Sequence, residues 1–365
     1  MEKVVLVTKI GKNYGALLQA YALKKAIENC GCDVNILRYE LTITQQTYEA
    51  LPKFTGVRSL KRIIKSFYRV KNTRKSIAAF QQFREDYFDF TCPYRNFEEL
   101  RVNPPEADVY ITGSDQVWNP KISFDPAYYL MFGNEKSVRA SYAASIGISK
   151  IPTEYEAEFL KRVKDIPYRS VREEEGKELL STYGISSYVN IDPTMLLSRE
   201  DYNQIAKDCR IDKPYVLLYL LKIPKDVKSY IENLRRLYPD HVFVNIPGST
   251  WSPKFGDMEM SDIGPCEFIG LVRNADAILT TSFHGTVFSI IHNKKFMTIL
   301  PQNTGGRITS LLKQLNLLDR ITSTPSDLHK IKEEMRWDKV EQVIEEQKNK
   351  SYKYLKEVVG AGKDD

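Results

Sequence analysis

The sequence predicts an α/β protein built as two doubly wound domains, and three observations carry this expectation. Short apolar segments alternate with helical ones along most of the chain, in two successive runs. Tyr215-Val216-Leu217-Leu218-Tyr219-Leu220-Leu221 is apolar without alternation, the pattern of a parallel strand buried on both faces. A length of 365 residues is ample for two domains, each with its own core.

Taken in order, Val4 to Thr8 reads as a strand, Gly11 to Gly15 as a turn, and Ala16 to Asn29 as a helix. Leu17, Leu18, Tyr21, Leu23 and Ile27 form that helix's apolar side. Val34 to Tyr39 is the next strand, and about 45–100 is a charged helical insertion. Strands over Asp108 to Thr112 and Arg139 to Ser145 follow, the first running into the loop 113–120. A helix over 153–165, strands over Tyr168 to Val171 and Tyr188 to Ile191, and a turn at Asp192-Pro193-Thr194 complete a first domain of 1–205. The second domain, 206–330, starts with the strand at 215–221 and continues with helix 225–237, strand Val242 to Ile246 and helix 265–274. Strand 277–280, helix 285–292 and strand Phe296 to Leu300 end the alternation. Residues 331–365 form a charged helix expected to pack back on the first domain.

Composition narrows the function classes. Hydrophobic residues at 42% and charged ones at 27% are ordinary for a globular protein. No apolar run approaches about 18 residues, so no spanning helix is expected. Met1-Glu2-Lys3 followed by Val4 to Val7 reads as a strand start and not as a signal peptide. The five cysteines (Cys30, Cys32, Cys92, Cys209 and Cys266) are odd in number and scattered, which fits a reducing cytoplasmic setting. His241, His284, His292 and His329 have no carboxylate or thiol spacing that would complete a metal site, so no metal is expected.

The net charge of +6 conceals a local concentration. Arg58, Lys61, Arg62, Lys65, Arg69, Lys71, Arg74 and Lys75 place eight positive charges in one stretch, leaving the rest of the chain at −2. Leu60, Ile63, Ile64 and Phe67 recur at helical spacing beside them. This amphipathic helix either lies on an anionic membrane surface or turns its apolar stripe to the protein core. No nucleic-acid recognition motif accompanies it, so no nucleic-acid partner is expected.

The most informative segment is Ala275 to Ser289. An apolar strand ends at Thr280-Thr281-Ser282 and an apolar helical run begins by Val287, so His284 and Gly285 sit at a strand-to-helix switch. Open α/β sheets place ligands at that edge, where a helix start turns backbone N–H groups toward an anion. A group titrating near neutral pH at such a place suits proton transfer to a phosphorylated substrate. The alternative is a histidine satisfied by a local hydrogen bond at a helix cap.

Six segments together resemble the polysaccharide pyruvyl transferase family. They are Asn13 to Leu23, Gly113 to Asn119, Tyr142 to Gly147, Ser170 to Glu173, Asp192-Pro193-Thr194 and Thr281 to Gly285, in order along most of the chain. The resemblance implies two Rossmann-like domains in a GT-B-like arrangement, with the site in the cleft between them. It implies transfer of the pyruvyl group of phosphoenolpyruvate to two hydroxyls of a sugar, forming a ketal and releasing phosphate. No cofactor beyond this donor substrate is implied.

On that reading His284 is the general acid that protonates C3 of the donor, matching the family's histidine. Arg172 matches an arginine that holds the donor in relatives, unless it is ion-paired with Glu173 or Glu174. Arg307 is a second cation or a helix cap; Asn13 and Gly15 let the first loop approach the ligand or simply make a tight turn. Ser282 and Gly285 complete the donor side. Trp118 would stack on the acceptor sugar, or else lie buried as a structural residue. Asn119 and Ser145 would hydrogen-bond the acceptor, and Asp115 would deprotonate its hydroxyl. One departure matters: better-known relatives carry an arginine two residues before the histidine, where this chain has Ser282. Arg172, Arg307 and Arg139 are the substitutes. The expected acceptor is a lipid-linked saccharide in surface-polysaccharide assembly, met at the inner membrane face through 58–75. A nucleotide-sugar-dependent GT-B-type glycosyltransferase is the alternative, since one fold hosts many chemistries.

Overall fold

Among the described residues, every paired strand runs parallel to its neighbour. The computed structural model describes residues 1–39, 60–249, 252–301 and 305–361. The chain opens with β1 (Lys3–Val7), α1 (Tyr14–Glu28) and β2 (Asp33–Ile36). After α2 (Leu60–Tyr87) come α3 (Phe97–Val102), β3 (Val109–Thr112) and β4 (Val138–Ser141). Then follow α4 (Thr153–Lys164), β5 (Ser170–Val171), α5 (Glu174–Ser181), β6 (Tyr188–Val189) and α6 (Arg199–Ile205). The second run is β7 (Tyr215–Tyr219), α7 (Val227–Leu237), β8 (Val242–Asn245), β9 (Met258–Glu259), α8 (Pro265–Asn274) and β10 (Ala277–Thr280). It ends with α9 (Phe283–Ile291), β11 (Lys295–Ile299), α10 (Gly305–Gln314), β12 (Ile321–Thr322) and α11 (Trp337–Gly360).

The described residues of Met1–Gln46, Tyr87–Leu197 and Asp338–Asp365 form one compact unit. Its sheet has the order β2-β1-β3-β4, extended by the β5–β6 pair through bridges Ala140 to Tyr168 and Ala144 to Val171. Asn13 caps α1, accepting from the Ala16 N–H at 3.0 Å, and the helix is buried on nearly all sides. The last helix, α11, is fixed to this unit by the Tyr354 hydroxyl, which donates to the Ser141 carbonyl at 2.9 Å. Val358 and Val359 are buried there, so its apolar stripe faces a core.

The described residues of Thr47–Asp86 and Ser198–Trp337 form the other unit. Its six strands run β12-β11-β10-β7-β8-β9, and the central β7 is buried at all five positions, as its unbroken apolar run requires. The division corrects two sequence-based boundaries. The first unit stops at Leu197 instead of 205. The insertion helix α2, up to Asp86, groups with the second unit rather than the first. Its reason is polar as well as steric: buried Asn72 donates to Ser261 Oγ at 3.0 Å, and buried Ser76 donates to the Ile263 carbonyl at 2.9 Å.

Candidate functional site

In the first unit β1 lies between β2 and β3, so strand order reverses there and the loops beyond β1 and β3 diverge from one edge. Gly113 begins the loop after β3 with φ +150, and a Cβ on it would lie 2.0 Å from the Tyr142 carbonyl oxygen. The fully buried Gln19 side chain joins the two strand ends. Its amide donates to Thr8 Oγ1 at 2.8 Å and its carbonyl oxygen accepts from the Ser114 N–H at 3.1 Å. The signal in the sequence was a polar residue on an otherwise apolar helix face, and motif reasoning passed over it. Asp115 and Gln116 follow with φ 36 and φ 58, and they alone among 113–119 are not buried.

The acceptor residues expected from sequence serve the loop itself. Trp118 is fully buried, with its ring parallel to Tyr129 at 6.3 Å and its indole N–H donating to the Tyr128 carbonyl at 3.3 Å. It therefore presents no face to a sugar, which corrects the stacking expectation. Asn119 donates from Nδ2 to Gln116 Oε1 at 3.0 Å and accepts from the Lys121 N–H at 3.1 Å. Ser145 is buried and donates to Glu173 Oε1 at 2.8 Å.

Arg172 takes the ion-paired alternative. Its Nε donates to Glu173 at 2.8 Å and its Nη1 to Asp192 at 2.7 Å, with the side chain 3% exposed. Asp192 in turn accepts from the Thr194 N–H at 3.0 Å and hydroxyl at 2.6 Å. Burial alone would lower the guanidinium's pKa, but Glu173, Asp192 and Asp115 outweigh it and raise it. The donor role expected of Arg172 thus falls on a cation already bonded to two carboxylates. Arg139 is likewise committed, donating to the carbonyls of Leu130, Phe132 and Asn134 at 3.1, 3.0 and 3.2 Å. Asn13 is the cap of α1, and Gly15 lies inside that helix's first turn instead of in a tight turn.

The second unit's edge is built from hydroxyls. Thr280 Oγ1 donates to the Tyr219 carbonyl at 2.8 Å and accepts from the Ser282 N–H at 3.0 Å. Ser282 Oγ then accepts from the Gly285 N–H at 3.2 Å, so Ser282 caps α9. The helix starts at Phe283, two residues before the expected 285, and His284 lies in its first turn, 6% exposed. Ser282, not His284, is the N-cap residue, and His284 stands in the first turn beside it. A Cβ on Gly285 would lie 2.3 Å from Thr280 Oγ1 and 2.9 Å from Tyr219 Cδ1, so this glycine lets α9 pack on β7 and β10. His284 meets the Phe283 ring edge-on at 5.2 Å, and the Arg307 guanidinium lies 5.7 Å from the same ring. Arg307 stands in the first turn of α10, so two helix starts and two basic side chains share this edge.

Of the basic stretch at 58–75, Arg58 and the side chains of Lys61, Arg62, Lys65 and Arg69 lie outside the described residues. Lys71, Arg74 and Lys75 are exposed on α2, Lys75 at 3.3 Å from Asp262. Among the described residues, no helix is long and apolar enough to cross a membrane. No group of three His, Cys, Asp or Glu among them is placed to hold a metal ion.

A family model described as polysaccharide pyruvyl transferase matches residues 13–303. No curated protein matches the chain. Among solved structures, a UDP-GlcNAc 2-epimerase from Methanocaldococcus jannaschii is similar at TM-score 0.50 and 14% identity, covering 91% of each chain. A putative UDP-N-acetylglucosamine 2-epimerase from Listeria monocytogenes gives TM-score 0.51 and 11% identity, over 93% of this chain and 91% of that one. Arabidopsis thaliana UGT89C1 complexed with UDP gives 0.50 and 11%, over 99% of both. These likenesses show the fold: two Rossmann-like units of the GT-B-like class.

Proposed function

Because the chain belongs to the polysaccharide pyruvyl transferase family, we propose that it moves the enolpyruvyl group of phosphoenolpyruvate onto a saccharide as a cyclic ketal. The observation that carries this is the second unit's edge, where His284 and Arg307 flank one phenyl ring at two helix starts. Phosphoenolpyruvate bears a phosphate and a carboxylate, and a guanidinium with helix N-termini suits both. His284 gives a proton to C3, and the positive charge that develops at C2 is met by a saccharide hydroxyl, whose proton is taken up by solvent. The second hydroxyl then bonds to C2 as the C2–O bond to phosphate breaks. Phosphate leaves with the electron pair and the second hydroxyl's proton goes to solvent. No redox change occurs.

The acceptor in this reading is carried on a lipid, and the basic stretch at 58–75 holds the enzyme to the anionic surface where it is presented. Neutralising Lys61, Arg62, Lys65 and Arg69 together is expected to abolish binding to anionic vesicles; unchanged binding would remove this part of the proposal.

The principal test is acceptor-dependent phosphate release from phosphoenolpyruvate by the full chain, with galactose-, glucose- and N-acetylmannosamine-terminated acceptors. His284→Ala is expected to lower the rate by roughly 10²- to 10⁴-fold, the usual worth of a general acid. Release that survives the substitution moves the acid elsewhere. A nucleotide-sugar that raises the melting temperature where phosphoenolpyruvate does not would overturn the donor assignment in favour of a glycosyltransferase.

A further inference from the structure

In the loop 113–119 only Asp115 and Gln116 are part-exposed, and Gln116 is held more firmly than a part-exposed side chain needs to be. Its backbone carbonyl accepts from Lys9 Nζ at 2.9 Å. Its backbone is left-handed at φ 58, a region that costs a residue with a Cβ on the order of 1–2 kcal/mol. Glutamine gains no local hydrogen bond there of the kind that excuses asparagine or aspartate. The side chain is fixed as well. The Lys121 N–H can only donate, so Asn119 Oδ1 faces it at 3.1 Å and Nδ2 faces Gln116. Nδ2 can only donate too, so the Gln116 atom 3.0 Å away is the carbonyl oxygen Oε1. The amide Nε2 is thereby set on the other side, and among the described residues it donates to no protein atom. Space for this arrangement comes from Gly147, where a Cβ would lie 2.7 Å from Gln116 Oε1 and 3.2 Å from Asn119 Nδ2.

We propose that Gln116 is a specificity-determining residue of the acceptor site, its fixed Nε2 donating to a neutral oxygen of the saccharide. A strained backbone, a tied-down carbonyl and a donor with no protein acceptor among the described residues amount to preorganisation, which spares the ordering cost that a mobile glutamine would bring to binding. Asp115, the preceding residue, offers the complementary acceptor, and a sugar hydroxyl both donates and accepts. The kinetic arm of the test rests on the transferase reading, whereas the binding arm does not.

The test is equilibrium binding of the same saccharide panel to the full chain by saturation-transfer NMR and calorimetry, beside the kinetics of phosphate release. Gln116→Glu keeps an oxygen for Asn119 and removes the donor; Gln116→Met removes the donor without adding charge. Both are expected to weaken saccharide binding and acceptor kcat/KM by roughly 10- to 100-fold, with the KM for phosphoenolpyruvate and the melting temperature unchanged. Gly147→Ala, which crowds Oε1, is expected to weaken the saccharide in the same sense. Wild-type binding by Gln116→Met, or loss of saccharide and donor binding together with a fall in melting temperature, overturns the assignment. Wild type that binds no saccharide overturns it also. Saccharide binding lost in Gln116→Met, in a wild type that does not turn over phosphoenolpyruvate, keeps Gln116 and rejects the transferase reading.

Discussion

The strand-end edges of the two units handle polarity in opposite ways. The first unit buries formal charge and pairs it: Arg172 with Glu173 and Asp192, and Ser145 and Thr194 on the same carboxylates. The second organises its edge with hydroxyls, Thr280 and Ser282, and carries basic side chains, His284 and Arg307, in the first turns of two helices. Carboxylates repel an anionic donor but accept from hydroxyls; helix starts and cations do the reverse. Taken singly, the first edge is of a kind suited to hydroxyls and the second of a kind suited to an anion. The difference predicts that comparable substitutions will fail differently on the two sides.

The largest stability effect is expected from Arg172→Met. Removing the guanidinium leaves Glu173 and Asp192 buried without their partner, and breaking such a pair costs about 3–5 kcal/mol. The melting transition of the first unit should fall by roughly 10 °C, since about 1 kcal/mol moves a domain of this size by about 2–4 °C. Arg172→Lys should recover part of this, because an ammonium cannot bond both carboxylates in the guanidinium's fixed fork. If Arg172→Met instead kept its melting temperature and raised only the KM for phosphoenolpyruvate, the contrast would collapse and Arg172 would belong to the donor.

The second unit's weak point is a buried base kept neutral. His292, which ends α9, is 5% exposed, and neither ring nitrogen has a hydrogen-bond partner among the described residues. Burial, with Lys294, Arg199 and Arg273 adding like charge, pushes its pKa down to about 3. Above the unfolded value of about 6.5 both states are neutral and His292 adds no pH dependence. Below it the unfolded chain binds a proton that the folded one refuses, so stability falls as pH falls, down to about pH 3. At pH 5 the loss is about 2 kcal/mol, and urea unfolding at pH 7 and pH 5 measures it. His292→Asn should flatten that slope; an unchanged slope would show that the acid sensitivity lies elsewhere.

How far the sequence could be read depended on whether the physics was local. β7 and β10 were legible because continuous apolar runs of strand length have few other uses, and the six motifs lie at or beside strand ends and helix starts. Trp118 was misread because its burial depends on Tyr128 and Tyr129, ten residues on, folding over it. The home of α2 depended on Ser261 and Ile263, nearly 190 residues away. β9 and β12 are two-residue strands, too short for any alternation to show. Gln116 lay in plain view inside a motif, but its importance comes from which atom Asn119 binds, and that needs three dimensions.

The smallest predicted effect tests the position where the family resemblance leads one to expect an arginine. Ser282 stands where an arginine was expected to hold the donor, and the structure uses its hydroxyl to cap α9. Ser282→Ala should cost about 1 kcal/mol, the usual worth of an N-cap. That loss alone does not separate a cap from a ligand, since both readings allow it. Ser282→Asp does, because aspartate caps as well as serine and adds a negative charge at the helix start. Stability should stay within a few tenths of a kcal/mol of wild type, while affinity for phosphoenolpyruvate falls by roughly tenfold through repulsion of its phosphate and carboxylate. If the donor bound Ser282→Asp as tightly as wild type, the start of α9 would not face the anion, and the assignment of the donor to this edge would fail with it.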